Sequence, residues 1–354
     1  MSTPPIDHAP HAHSGDKVSR IMLIVMAALA PATLVGFGAF GWPAVWVWLI
    51  TIAACIVTEV ACIHATGRNW KPSIGDGSAI LTGWLLALSL PPWAPWWIAV
   101  LGAVIAIALG KQVYGGLGQN PFNPAMIARV ALLVSFPLEM TQWVATVPMF
   151  AAGSPGPLEG LAIIFGGSPN LDAVSSATLL GHVKTEASRG IAVSASLPAI
   201  ADGLFAGAGL RPGSLGETAA WLIGAGGLAL VFLRIITWHI PVAMLAGALV
   251  PALIAHGIAP DHYLPASAHL LSGGLILGAF FIATDLVTSP STRPGQLIFG
   301  VGCGLLTWII RTWGGYPEGI AFAVVLMNAC VPLIDRYTRP RVYGRGRAQV
   351  SVAK

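Results

Sequence analysis

Residues 171–180 read LDAVSSATLL, which gathers an acid, three hydroxyls and small spacers into one short run. Esterifying the Thr178 hydroxyl with a dinucleotide's phosphate needs small neighbours, so that a transferase can approach. It also needs an acid that can hold magnesium or orient the hydroxyl. Ser175, Ser176 and Ala177 supply the small neighbours and Asp172 the acid. The same residues also read as a helix start, with Ser175 or Ser176 capping a short helix through SATLLGHVKTEA and Asp172 on the preceding turn. Taken alone, the run favours the cap.

Ionisable side chains inside apolar stretches form a second group, because charge at membrane depth is costly and marks pathways or paired sites. Glu59, Arg129, Asp285, Arg311 and Glu318 qualify. Arg129 follows NPFNP, whose prolines and asparagines suit a broken, cavity-lining segment. It could steady a cofactor's phosphate or electron-rich ring, or simply pair with a carbonyl or an acid. Asp285, in IATDLVTSP, could form an oxygen-rich ion site with Thr284 and Thr288, or end a helix at the interface. Glu59 is a candidate for ion uptake by the same reasoning, whereas Glu318 starts a helix, where the macrodipole alone favours a carboxylate. Cys55, Cys62, Cys303 and Cys330 show no CxxC spacing, which argues against a zinc knuckle, an attached haem or a disulfide framework. YGGLG follows no strand and is not a phosphate loop, and the histidines of HAPHAH belong to a polar tail.

The elements that position these groups follow from composition. Of 354 residues, 55% are hydrophobic and 9% charged, against roughly a quarter charged in soluble domains. With a mean hydropathy of +0.76, the chain reads as an all-α polytopic membrane protein. A hydrocarbon core about 30 Å thick needs about 20 apolar residues per span. On that basis about ten spans are expected, at 20–39, 43–64, 77–91, 96–111, 122–137, 217–235, 239–257, 267–285, 296–312 and 318–335. No cleavable signal is evident, and the first span should act as its own targeting signal.

Orientation follows from the basic residues. A cytoplasmic N-terminus puts Lys17, Arg20, Arg68, Lys71, Lys111, Arg234, Arg293 and the tail RYTRPRVYGRGR on one side, while LPPWAPWW and APDHYLPASAH carry neither Lys nor Arg. The basic tail is explained by this asymmetry rather than by nucleic acid, and Trp93, Trp96 and Trp97 suit an interfacial belt. Five segments follow: a cytoplasmic tail at 1–19, a first transmembrane repeat at 20–137, a long loop at 138–216, a second repeat at 217–335 and a basic cytoplasmic tail at 336–354. The loop follows an odd number of spans, so it should emerge outside the cytoplasm, in the periplasm of a bacterial cell. Its Glu139, Glu159, Asp172, Glu186 and Asp202 outnumber Lys184, Arg189 and Arg211, as suits a translocated segment. A loop this long usually has a function.

The halves also resemble one another. SAILTGWLLALSL and YGGLGQNPFNPAMIARVALL can be laid, in order, against GGLILGAFFIATDL and WGGYPEGIAFAVVLMNACVPL. About five spans per half would insert the second copy upside down, giving two inverted five-helix repeats, the arrangement of many transporters.

GKQVYGGLGQNPFNPAMIARVALLVSFP, DAVSSAT, FFIATDLVTSP and IRTWGGYPEGIAFAVVLMNACVPLIDRY together resemble the RnfD family of Rnf complexes, over most of the chain and in the expected order. That family is homologous to the NqrB component of the sodium-translocating NADH:quinone oxidoreductase, which usually has a longer N-terminal segment. The resemblance implies FMN joined by a phosphoester to the threonine that ends an Asp-x-x-[Ser/Thr]-Gly-Ala-Thr run, here Thr178, with Asp172, Ser175, Ser176 and Ala177 as the rest of the motif. Ser176 stands in place of the usual glycine, and Leu179 where proline often follows; serine resists backbone angles that glycine tolerates. In this context the run favours the ester. The resemblance further implies a urea-transporter-like fold and a second, non-covalent flavin such as riboflavin. The complex would move electrons between ferredoxin and NAD, coupled to sodium or proton translocation. Its expected partners are other Rnf subunits, including a second flavin-bearing subunit and iron-sulfur subunits, and a flavin transferase for maturation. The competing expectations are a channel or transporter for a small solute on the same fold, or the NqrB component of a sodium-translocating NADH:quinone oxidoreductase.

Overall fold

A computed structural model describes residues 17–67, 71–151, 153–166, 175–176, 178–193, 213–316 and 318–340. Helix α1, Val18–Ala65, is 48 residues long, about 72 Å at 1.5 Å per residue and more than twice a bilayer core. It divides at Gly41, whose φ of 74° and ψ of −165° lie where a side chain would clash, with Pro43 just beyond. The expected spans 20–39 and 43–64 are therefore two runs of one kinked element.

After the short α2 (Lys71–Gly75) come α3 (Ser78–Ser89) and α4 (Trp96–Val104). The latter continues through a π turn at Ile105–Leu109 and a 3-10 turn at Gln112–Tyr114. Helix α5 (Pro124–Ser135) starts inside NPFNP, two residues after the expected 122: Asn123 caps it by accepting from the Met126 amide at 3.2 Å, and Pro124 occupies the first turn, where its missing N–H costs nothing.

The loop contains α6 (Pro137–Thr141), strand β1 (Trp143–Val144), α7 (Pro157–Ile164), strand β2 (Ser175–Ser176) and α8 (Leu179–Ser188). The strands pair antiparallel, Trp143 opposite Ser176 and Val144 opposite Ser175. Then follow α9 (Leu215–Thr218), α10 (Ala220–Phe232), α11 (His239–Ile258), α12 (Ala266–Leu271), α13 (Leu275–Leu277) with a π turn at Gly278–Ile282, α14 (Arg293–Trp313) and α15 (Ile320–Tyr337).

Among the described residues, five helices are long and apolar enough to cross a membrane: α1, the run Trp96–Tyr114, α11, α14 and α15. Helices α3, α5 and α10 are apolar but shorter. The chain is thus a mostly helical, polytopic membrane protein. Helix α11 packs on α14, and small residues allow the backbones to meet. A Cβ at Gly304 would strike the Met244 carbonyl, and one at Gly300 would lie 2.8 Å from the Ile240 carbonyl.

The expected span 267–285 is not continuous. Helix α12 stops at Leu271, and Gly273, at φ +69°, separates it from α13. The carbonyls left open there are satisfied by Arg311, which donates to His269 at 2.7 Å and to Ser272 at 3.1 Å. The left-handed φ at 273 strains any side chain, and a Cβ there would have to displace the ends of the paired Glu318 and Arg311 side chains.

Candidate functional site

Thr178 sits where the loop meets the second half of the chain. It caps α8, its Oγ1 accepting from the Gly181 amide at 3.1 Å, and it is buried. The cap therefore falls on Thr178 itself rather than on Ser175 or Ser176, which lie in β2. Asp172 and Ala177 lie outside the described residues. Thr178 lines a small cavity with Glu217, Ser272 and Gly273.

Helix α8 is held against α14 through Lys184. Its ammonium donates to the carbonyls of Tyr316 at 3.0 Å, Arg311 at 3.3 Å and Ile310 at 3.5 Å. Two of these belong to the last turn of α14, where the Ile310 carbonyl also accepts from the Gly314 amide at 2.9 Å. Burial lowers the lysine's pKa, while the three acceptors favour the charged form. Farther along, the Val193 amide donates to the Asp261 carbonyl at 2.8 Å.

A buried polar cluster lies next to Thr178. Arg311 pairs with Glu318 at 2.8 Å. Arg129, from α5, shares a small cavity with Glu217, Glu318, Ser89 and Ser214. Its Nη1 has no partner among the described residues. Glu217 lines both this cavity and the one beside Thr178.

Glu59 and Asp285 belong elsewhere. Lys111 donates to Glu59 Oε1 at 2.6 Å, with Gln112 and Ser73 adding bonds of 2.9 and 3.0 Å. Both charged groups are almost wholly buried, at 0% and 1% exposure for Glu59 and Lys111. Lys111 therefore does not serve as a headgroup-facing charge. Asp285 accepts from the Val287 amide at 3.2 Å, from Thr288 Oγ1 at 3.3 Å and from Asn123 Nδ2 at 3.5 Å. Thr284 instead donates to the Phe280 carbonyl at 2.6 Å. Asn328 of α15, oriented to satisfy both neighbours, donates to the Thr288 carbonyl at 3.2 Å and accepts from the Asn123 amide at 2.9 Å. The start of α5 is thereby tied to the middle of α15.

Between these groups opens a cleft lined by Lys111, Asn120, Asn123, Asp285, Phe280 and Phe281. Asn120 Oδ1 is buried there without a partner among the described residues. Among the described residues no group of three or more His, Cys, Asp or Glu could hold a metal ion.

The structure thus sets Glu217 between the cavity lined by Thr178 and the one lined by Arg129, and places Asp285 and the Glu59 partner Lys111 on one cleft. Two residues at these sites, Glu217 and Lys184, are not among those the sequence marks out. Glu217 reads as the start of an apolar span and Lys184 as one more loop cation. For Glu217, a carboxylate at a span's end among glycines and alanines was the available signal.

The fold and its polar sites are those of an integral membrane protein with polar side chains buried around clefts between its helices. The profile of the NQR2, RnfD, RnfE family matches residues 5–344, and the chain belongs to that family. It is 55% identical to the D component of the ion-translocating oxidoreductase complex of Stutzerimonas stutzeri, over 93% of this chain and 92% of that protein. The protein of the same name from Halorhodospira halophila is 49% identical over 96% and 95%, and that from Rhodobacter capsulatus 48% identical over 85% and 84%.

Proposed function

We propose that the chain is the RnfD component of an Rnf-type ion-translocating oxidoreductase complex, carrying FMN esterified to Thr178 and serving electron flow coupled to ion translocation. Family membership and relatives at this identity support the assignment to the complex. The observation that carries the cofactor assignment is the position of Thr178 at the N-terminus of a helix 10 residues long. Open amides and the dipole's positive end favour a phosphate there. When bound, FMN supplies one-electron chemistry. The protein's part is to hold the phosphate at α8 and to fix α8 through Lys184.

The cleft suits a second flavin, riboflavin, which carries no phosphate. Phe280 and Phe281 offer flat apolar walls, while Asn120, Asn123 and Asp285 offer polar partners along one side. The orphaned Asn120 Oδ1 is one acceptor a ligand donor could satisfy. Electron exchange between ferredoxin and NAD, coupling to sodium or protons, and partnership with flavin and iron-sulfur subunits complete the reading. So do a bacterial inner-membrane location, cytoplasmic termini and an extracytoplasmic 138–216 loop. Two inverted repeats of about five spans each remain part of it. The contact between α5 and α15, the segments aligned at the ends of the two halves, favours that arrangement.

The test is in-gel fluorescence after full denaturation, in cells that make the flavin transferase. A covalent flavin stays with the polypeptide, and Thr178→Ala abolishes the signal. A dark wild-type band would contradict the ester and favour a solute channel.

A further inference from the structure

Glu217 is 8% exposed and sits between two small polar cavities. Ser214 Oγ donates to its Oε1 at 2.8 Å, and no described residue donates to its Oε2. Arg129, also 8% exposed, lines the inner cavity with Nη1 unpartnered among the described residues. No described carboxylate lies within ion-pair distance of it. Arg311, by contrast, is committed to Glu318 and to the carbonyls of His269 and Ser272. Glu217 and Arg129 therefore line a common small cavity without an ion pair between them; Ser89, Ser214 and Glu318 line it too, and Glu318 is paired with Arg311.

We propose that Glu217 is a proton-exchange site, binding and releasing a proton through the cavity it shares with Thr178, with Arg129 balancing its charge when the proton is absent. An isolated buried carboxylate would be strongly unfavourable, and a carboxyl bonded tightly to a guanidinium would stay ionised. The arrangement here lies between those limits. Arg129 supports the carboxylate from across the cavity, and the Ser214 hydroxyl can turn to accept from a protonated carboxyl as readily as it donates to a charged one. The charged groups facing Glu217 are Arg129 from α5, Glu318 before α15 and Arg311 from α14. His269 of α12 lies beside Arg311. Helices α1, α3 and α10 also pack on α9, and among the described residues they bring no ionisable side chain to either cavity.

The link to redox chemistry rests on the Thr178 reading. A phosphodiester there adds negative charge next to Glu217, and an electron from a one-electron donor in a neighbouring subunit adds more. Both favour the protonated carboxyl. The balance is one electron in to the cofactor and one proton in from solvent to Glu217, with no bond to the cofactor made or broken.

The site itself is tested without the cofactor, by pH-difference infrared spectroscopy on full-length Thr178→Ala protein. A protonated-carboxyl band that grows as pH falls should vanish in Thr178→Ala/Glu217→Gln and shift in frequency in Thr178→Ala/Glu217→Asp. Adding Arg129→Gln should raise the proton affinity at least tenfold. Absence of the band in the parent, or its persistence at unchanged frequency in both Glu217 variants, overturns the proposal. In wild-type protein, chemical reduction should increase the same band, and an unchanged band on reduction of the flavinylated protein overturns the redox link. An unmodified residue 178 would remove only the Thr178 reading, because the cofactor-free measurement still decides Glu217.

Discussion

At Thr178 one oxygen caps a helix and is proposed to carry an ester, and the two roles can be separated by substitution. Replacing the side chain with alanine removes both, and loss of such a cap costs about 1 kcal/mol. Hydrogen exchange of the first-turn amides of α8 should therefore quicken roughly fivefold in Thr178→Ala, and Thr178→Ser should restore the wild-type rate. At Glu59 the chemistry differs. Its carboxylate is buried against Lys111, so Lys111→Met leaves a buried charge without its partner, at a cost of about 3–5 kcal/mol. Thermal unfolding should fall sharply in that variant and recover largely in Glu59→Gln/Lys111→Met. Failure of the double variant to recover would mean that the pair holds more than its own charge.

Among the elements, α8 owes its position to Lys184 and the last turn of α14. Lys184→Met should expose the 178–193 segment to limited proteolysis at least about fivefold faster, while α14 and α15 stay protected. Unchanged cleavage would show that α8 is held by other contacts. Gly273→Ala should be worse tolerated than Gly257→Ala, because the first meets two charged groups and the second meets open space. Much at this scale was legible beforehand: α5, the span that begins at Trp96, and α11, α14 and α15 follow from apolar length. The break at Gly273 was not, since its cause is Arg311, 38 positions later in number and adjacent only after folding. The Gly41 kink leaves the expected boundary between two spans intact but makes them one element. Thr178 and Arg129 could each be marked from type and context, whereas their connection through Glu217 depends on packing between the loop, α5 and the second half.

Over the whole molecule, the proposed arrangement sets loop and termini on opposite sides. Leu158→Cys, at a site 82% exposed, should react with a membrane-impermeant thiol reagent in intact spheroplasts of a strain lacking the native cysteines. Tyr337→Cys, 79% exposed, should react only in inverted vesicles. The reverse pattern would invert the topology. If Asp285 and the Asn123–Asn328 contacts frame an ion path, Asp285→Asn should raise the sodium concentration needed for half-maximal electron transfer by about tenfold, through loss of one charged oxygen. Wild-type sodium dependence would remove Asp285 from that path.

All of the redox account depends on a cofactor joined to one side chain. The most direct measurement is the mass of the peptide containing residue 178, taken from protein made in cells that supply flavin and its transferase. The account predicts a mass increased by FMN less one water, located at Thr178 and missing from Thr178→Ala. An unmodified peptide in the wild-type protein would contradict it.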